Sequence, residues 1–134
     1  MARVLIVDDE PSILELLDLA LAGEGYEVLR AANGNEALEK AELADVVLLD
    51  GMLPGITGWE VCRLLKSRPR TQHLPVIMIS AMAQQLDVDR GRVAGADDYI
   101  TKPFDLQEVL EKVAQALKGS SAQQPVLGRA AFSS

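Results

Sequence analysis

Aromatic residues are scarce in this chain: one Trp, two Tyr and two Phe among 134 residues. A core must therefore be built from Leu, Val, Ile and Ala, a composition that suits helices packed on a buried sheet. Cysteine is almost absent too. The single Cys62 cannot form an internal disulfide, which fits a reducing, cytoplasmic setting. Basic residues are outnumbered, with 13 Lys and Arg against 20 Asp and Glu and a net charge of −7. None of them forms a long run, so direct nucleic-acid binding is not expected, because phosphate neutralisation needs clustered cations. Long apolar stretches are missing as well. The N-terminal run Val4–Val7 is cut off by acids, too short for a signal peptide or a membrane insertion. The one histidine, His73, stands alone after Pro69 with no second metal ligand near it in sequence.

What is present is a fivefold alternation of short apolar runs with helical patterns: Val4–Val7, Tyr26–Leu29, Val46–Leu49, Val76–Ile79 and Tyr99–Ile100. The first, third and fourth are apolar without alternation, as strands covered on both faces are. The second alternates more and reads as an edge. Asn33-x-x-Glu36, Thr57-x-x-Glu60 and Asp105-x-x-Glu108 match the capping box, and Pro11 suits a first helical turn. Gly23, Gly25, Pro69, Gly95 and Gly119 read as stops. The last helix places Leu106, Val109, Leu110, Val113, Ala114 and Leu117 on one stripe. The predicted fourth helix, over 83–94, carries Gly91 internally and offers few anchors beyond Leu86 and Val93. Five β–α units predict an α/β fold, a right-handed doubly wound parallel sheet with five helices. Residues 1–118 form the predicted domain. Residues 119–134 turn small and polar and read as a tail or linker.

Such sheets carry their ligand site at the carboxyl ends of the strands. Strand one ends in Asp8-Asp9, strand three in Asp50 and strand four in Ser80, while Lys102-Pro103 follows strand five. Three carboxylates, a hydroxyl and an ammonium would share one rim. Clustered carboxylates repel and one would protonate unless a cation intervenes. Oxygen donors without His or thiol point to Mg²⁺, or Mn²⁺, rather than zinc. Cation and Lys102 together make a site for a phosphoryl group, with Asp50 as the nucleophile and Ser80 as a hydrogen-bond donor. Taken singly, an Asp after a strand is commonly a turn or cap residue. The coincidence of all five on one rim is what carries the reading.

The segments VLIVDDEP, VVLLDGMLPGITGWE, PVIMISAM and GADDYITKPF resemble the receiver domains of bacterial response regulators of the chemotaxis type. The resemblance covers residues 3 to 118 and implies a flavodoxin-like sheet of strand order 2-1-3-4-5. It implies that Asp50 is the phosphoacceptor, that Asp9 binds the metal directly and Asp8 through water, and that the Met52 backbone carbonyl completes the protein's ligands. Lys102 and the backbone N–H of Ala81 would bind the phosphoryl group, Lys102–Pro103 would be a cis peptide, and Ser80 and Tyr99 would form a switch pair. The protein would be a signalling domain that catalyses only its own phosphorylation and dephosphorylation. Two positions depart from the family pattern: Gly51, where a bulkier residue is common and which would loosen the loop, and Thr57, where an acid is common. Met52 and Met82 flank the pocket and neither can orient an attacking water, so slow loss of the phosphoryl group is expected.

The resemblance also implies partners: a histidine kinase or histidine phosphotransfer protein, and an output domain or partner, or a phosphorylation-dependent homodimer. Leu16 and Leu19 lean away from the core side of helix one and are candidates for donor docking. Arg90, Asp98 and Lys112, with Arg92, Asp97 and Glu111 around them, are candidates for the output face on the fourth helix, fifth strand and last helix. Three other readings compete. A receiver that signals without phosphate is opposed by the complete acidic set. A phosphohydrolase would want an acid where Met52 stands. A flavin module would want a hydroxyl-rich loop after strand one, where this chain has Asp8-Asp9-Glu10.

Overall fold

Strands form where apolar residues are buried on both sides, and every residue of β3 (Val46–Asp50) and β4 (Val76–Ser80) is buried. β1 (Arg3–Val7) is buried from Val4 onward. These three are the central strands of one parallel five-stranded sheet, flanked by β2 (Glu27–Ala31) and β5 (Asp98–Thr101), in the order β2-β1-β3-β4-β5. A computed structural model describes residues 1–81 and 94–122 of the chain. The predicted helix over 83–94, with Leu86, Arg90, Gly91, Arg92 and Val93, lies outside the described residues except for Ala94, as do Met82 and residues 123–134.

The pleat sends alternate residues of each strand into two separate cores. Leu5, Val7, Val47, Leu49, Val76 and Met78 meet α2 (Gly34–Lys40) and α3 (Gly58–Ser67) through Ala37, Val61, Cys62 and Leu65. On the other face Val4, Ile6, Val46, Leu48, Ile77 and Ile79 meet α1 (Pro11–Gly23) and α4 (Leu106–Ala122). The helix side of that second core is Leu14, Leu17 and Leu21 from α1 with Val109 and Val113 from α4. Each fully buried Leu, Ile or Val contributes roughly 1.5–3 kcal/mol. The central strands therefore carry the stability and the rim beyond them is left for chemistry.

Capping follows the expected pattern at two helices. Asn33 accepts from Glu36 N at 2.9 Å and Thr57 from Glu60 N at 3.2 Å. The reciprocal bonds differ from a full capping box: Glu36 accepts from the Ala32 amide, and Glu60 pairs with Arg63. Asp105 caps α4 through Gln107 N at 2.8 Å, one residue short of Glu108. At the end of α1 the Gly25 amide donates to Ala22 O and the Tyr26 amide to Leu21 O, with Gly25 at φ +92°. That pair of bonds is a Schellman motif. It holds Tyr26 to the helix, so β2 begins at Glu27 and not at Tyr26.

Two expectations about α4 are corrected. Gly119 does not stop the helix, which continues to Ala122. A helical glycine costs only about 1 kcal/mol, and no proline follows until Pro125. Ala116, not Ala114, packs on the core, while Ala114 faces solvent.

Cys62 lies wholly inside, its thiol donating to Ala94 O at 3.6 Å, and burial pushes its pKa up to about 11. The thiolate is the nucleophile, so the native chain should resist Ellman's reagent at pH 8 and react fully once unfolded in urea. Complete labelling of native protein within minutes would contradict the packing described for α3.

Candidate functional site

Strand register builds the site. Val7 is opposite Leu49, so one further step along β1 and β3 brings Asp8 level with Asp50. Asp50 is opposite Ile79, and Ser80 is opposite Thr101, so Ser80 and Lys102 complete the same rim. The rim sits at the switch point of strand order, between β1 and β3, where open α/β sheets bind their ligands.

Asp8 and Asp50 are almost fully buried, at 2% and 4% exposure, whereas Asp9 is exposed. Each of the three presents a carboxylate oxygen within 4.8 Å of the others. Lys102 lies across the two buried acids, with its Nζ 2.8 Å from Asp8 Oδ2 and 3.4 Å from Asp50 Oδ2. The remaining oxygens accept main-chain amides: Asp8 Oδ1 from Glu10 N at 2.9 Å, and Asp50 Oδ1 from Met52 N at 3.0 Å. Glu10 adds a fourth carboxylate, 3.9 Å from Lys102 and exposed to water.

One ammonium does not balance three or four carboxylates. Burial, and then the charge of Asp8, hold the Asp50 pKa above its ordinary value, against the Met52 amide and Lys102. Burial alone would lower the Lys102 pKa. Its hydrogen bond to Asp8 and the charges of Asp50 and Asp8 outweigh that and raise it, so Lys102 stays protonated. An all-oxygen donor set with residual negative charge suits a hard divalent cation such as Mg²⁺. The residues present therefore fit that ion.

Ser80 is fully buried at the end of β4, and its carbonyl accepts from Lys102 N at 2.8 Å. Ala81 follows it on the exposed side of the rim. The Lys102–Pro103 peptide is cis. Tyr99, on β5, is partly buried against the core beneath α2 and α3. Met52 leaves its side chain 55% exposed beside Asp50.

The surface candidates separate. Leu16 and Leu19 are exposed on α1, at 42% and 71%, while Leu14, Leu17 and Leu21 face the sheet. Asp98 and Lys112 are paired with each other at 2.9 Å. Asp97 serves the fold, accepting from Lys66 Nζ at 2.7 Å and from Val76 N at 2.8 Å.

The sequence alone does not reveal how the strand that carries Asp50 is held. A Cβ built on Gly58 would lie 2.0 Å from the Asp50 carbonyl oxygen, so α3 begins directly against the backbone of the buried acid. Gly51, expected to loosen the loop, is buried and fastened: its amide donates to Ile79 O at 3.0 Å and its carbonyl accepts from Gly58 N at 3.1 Å. The ring of Trp59 occupies the space a side chain at Gly51 would need. Thr57, the other departure, is the N-cap of α3.

Comparison with known proteins agrees with this geometry. Residues 4–114 match the family described as "Response regulator receiver domain". The chain is 42% identical over 120 residues to the DNA-binding dual master transcriptional regulator RpaA of Synechocystis, covering 88% of this chain and 50% of that protein. It is 42% identical over 118 residues to the DNA-binding response regulator MtrA of Mycolicibacterium smegmatis, covering 87% and 50%. The chain thus spans about half the length of these curated relatives. Among solved structures, a response regulator from Chloroflexus aurantiacus superposes with a TM-score of 0.83 at 41% identity, covering 87% of this chain and 98% of that one. A CheY-like receiver domain protein from Methanospirillum hungatei gives 0.83 at 35% identity, covering 92% and 98%.

The contact at Gly58 makes a signed prediction. Gly→Ala within a helix ordinarily stabilises, by up to about 1 kcal/mol. Here the added methyl meets the Asp50 carbonyl, and overpacking of this kind costs about 1–3 kcal/mol. Gly58→Ala should therefore lower the urea midpoint, and an unchanged or raised midpoint would contradict the close approach.

Proposed function

The chain belongs to the response regulator receiver family, and on that premise we propose that Asp50 accepts a phosphoryl group from a phosphohistidine donor and that the other rim residues serve this transfer. The observation that carries the proposal is the pairing of two buried carboxylates, Asp8 and Asp50, with one shared ammonium, Lys102, at the switch point of the sheet.

Asp8, Asp9 and Asp50, with the Met52 carbonyl, would hold Mg²⁺, which supplies neutralisation of charge on the transferring phosphoryl oxygens. Asp50 Oδ1 is oriented by the Met52 amide and Oδ2 faces Lys102, and on this reading that carboxylate is the attacking group. The Asp50 oxygen bonds to phosphorus as the bond from phosphorus to the donor nitrogen breaks, and the donor imidazole takes up a proton. Lys102 stays cationic throughout and moves from carboxylate to phosphoryl oxygen, while the Ser80 hydroxyl and Ala81 N–H donate to the remaining oxygens. Ser80 and Tyr99 then form the switch pair that reports the event to β5 and α4.

The protein acts as a signalling domain, and on this reading its only catalysis is on itself. Exposed Leu16 and Leu19 support docking of a histidine kinase or phosphotransfer protein on α1. Asp98 and Lys112, paired between β5 and α4, support an output partner or second copy on that surface. The domain is assigned to residues 1–118 with the last turn of α4 beyond them. A reduced, buried Cys62 supports a cytoplasmic setting, and the net charge of −7 supports a receiver that does not bind nucleic acid through these 134 residues.

Incubation with acetyl phosphate and Mg²⁺ should add one phosphate to the intact mass of the wild type and none to Asp50→Asn. Chelation of Mg²⁺ should abolish the adduct. An adduct that survives Asp50→Asn or chelation would overturn the assignment, as would its absence from the wild type.

The half-exposed thioether of Met52 offers no group to align water on the acyl phosphate. Release of phosphate from the loaded chain should take minutes or longer, and loss within seconds would contradict that reading of the pocket.

A further inference from the structure

Gly51 follows the acceptor directly, and glycine is the residue with the widest backbone freedom. Left to itself it would let the Asp50 carboxylate and the Met52 main chain wander. The space beside it is nevertheless full. A Cβ on Gly51 would lie 1.4 Å from Cζ3, 1.9 Å from Cη2 and 2.5 Å from Cε3 of Trp59, so the indole rests on the bare Cα. Eight residues further along the chain, Trp59 supplies the bulk that residue 51 lacks.

We propose that Trp59 is a positioning residue for the acidic rim: its ring, wedged on Gly51, sets the main chain that carries Asp50 and Met52. This rests on the reading of Asp50 and Mg²⁺ given above. The contacts form a continuous chain. Trp59 presses Gly51, the Gly51 amide is held by Ile79 O at 3.0 Å, and Gly58 N ties back to Gly51 O at 3.1 Å. The next amide, Met52 N, orients Asp50 Oδ1 at 3.0 Å, and the Met52 carbonyl is a proposed ligand of the ion.

Shape, and not hydrogen bonding, places the ring. The Trp59 indole N–H is buried and finds no acceptor among the described residues. A buried unpaired donor is unfavourable, so the ring is there in spite of its polar atom. A phenyl ring, though shorter in reach, should then do part of the same work, and an alanine should not.

Mg²⁺ affinity measured by calorimetry is the readout, because a purely packing role would move the melting midpoint alone. Groups that orient metal ligands from behind typically change affinity by 10–100-fold, and Trp59→Ala should weaken Mg²⁺ binding by about tenfold at the lower end of that range. Trp59→Phe, which keeps an aromatic ring of shorter reach, should lose less affinity than the alanine variant. Should Trp59→Ala fail to fold, by circular dichroism, Trp59→Leu is read in its place with the same expectation. A folded Trp59→Ala or Trp59→Leu with wild-type affinity overturns the inference, and so does a Trp59→Phe as weak as the alanine variant. If the wild type itself binds no Mg²⁺, the reading of the acidic rim fails first and the inference falls with it.

Discussion

Two buried carboxylates held against one ammonium are the constraint around which the rest of this molecule is arranged. Asp8 and Asp50 are brought level by the β1–β3 register and cannot move apart without breaking the ladder. In a low-dielectric rim their repulsion is strong, and Lys102, reaching both, offsets only part of it. Buried ion pairs rarely add net stability, because desolvation costs about as much as the attraction returns. The rim is therefore a burden on the fold, carried by two cores whose central strands are buried on both faces. That division explains why the strands are so uniformly apolar up to Val7, Leu49 and Ile79 and change character at the next residue.

The same constraint explains the close packing behind the rim. A carboxylate confined near like charges needs a rigid main chain, or the backbone will relax and let the groups separate. Gly58 brings the first turn of α3 against the Asp50 carbonyl, and Trp59 fills the volume beside Gly51. Both contacts come from one helix start, fixed in turn by the Thr57 cap. Rigidity at Asp50 is thus a property of α3, delivered over a loop in which no single residue looks remarkable in composition.

Legibility in the sequence followed the range of the interactions. Strands announced themselves through unalternating apolar runs, and helix starts through Asn33 and Thr57, because these are signals within a few residues. Asp8, Asp9, Asp50, Ser80 and Lys102 were legible as a set because each ends a strand and a parallel sheet gathers such ends on one rim. Contacts that depend on how a loop closes were not legible. Nothing in the text GMLPGITGW says that its last residue, Trp59, folds back on its first. Asp97 and Asp98 looked alike as neighbouring surface acids, yet Asp97 ties Lys66 to the start of β4 while Asp98 pairs with Lys112. The extra turn of α4 past Gly119 was hidden because glycine weakens a helix without ending it.

On the proposed function, the arrival of a dianion at Asp50 cannot be local. Lys102 has one charge and is already shared between Asp8 and Asp50, so any hydrogen bond it makes to a phosphoryl oxygen must weaken one of those two. Asp8 follows and Asp50 ends a central strand bonded on both sides, whereas Lys102 follows β5, which among the described residues is an edge strand paired with β4. The softer partner yields, so the displacement falls on the segment after β5. Two of its other attachments among the described residues are modest. The Lys102 amide holds Ser80 O, and the Asp98–Lys112 pair linking β5 to α4 is partly solvated, worth at most about 1 kcal/mol. On that proposal, strain introduced at the acidic rim is released along β5 toward α4, where the described link through Asp98 and Lys112 costs little to rearrange.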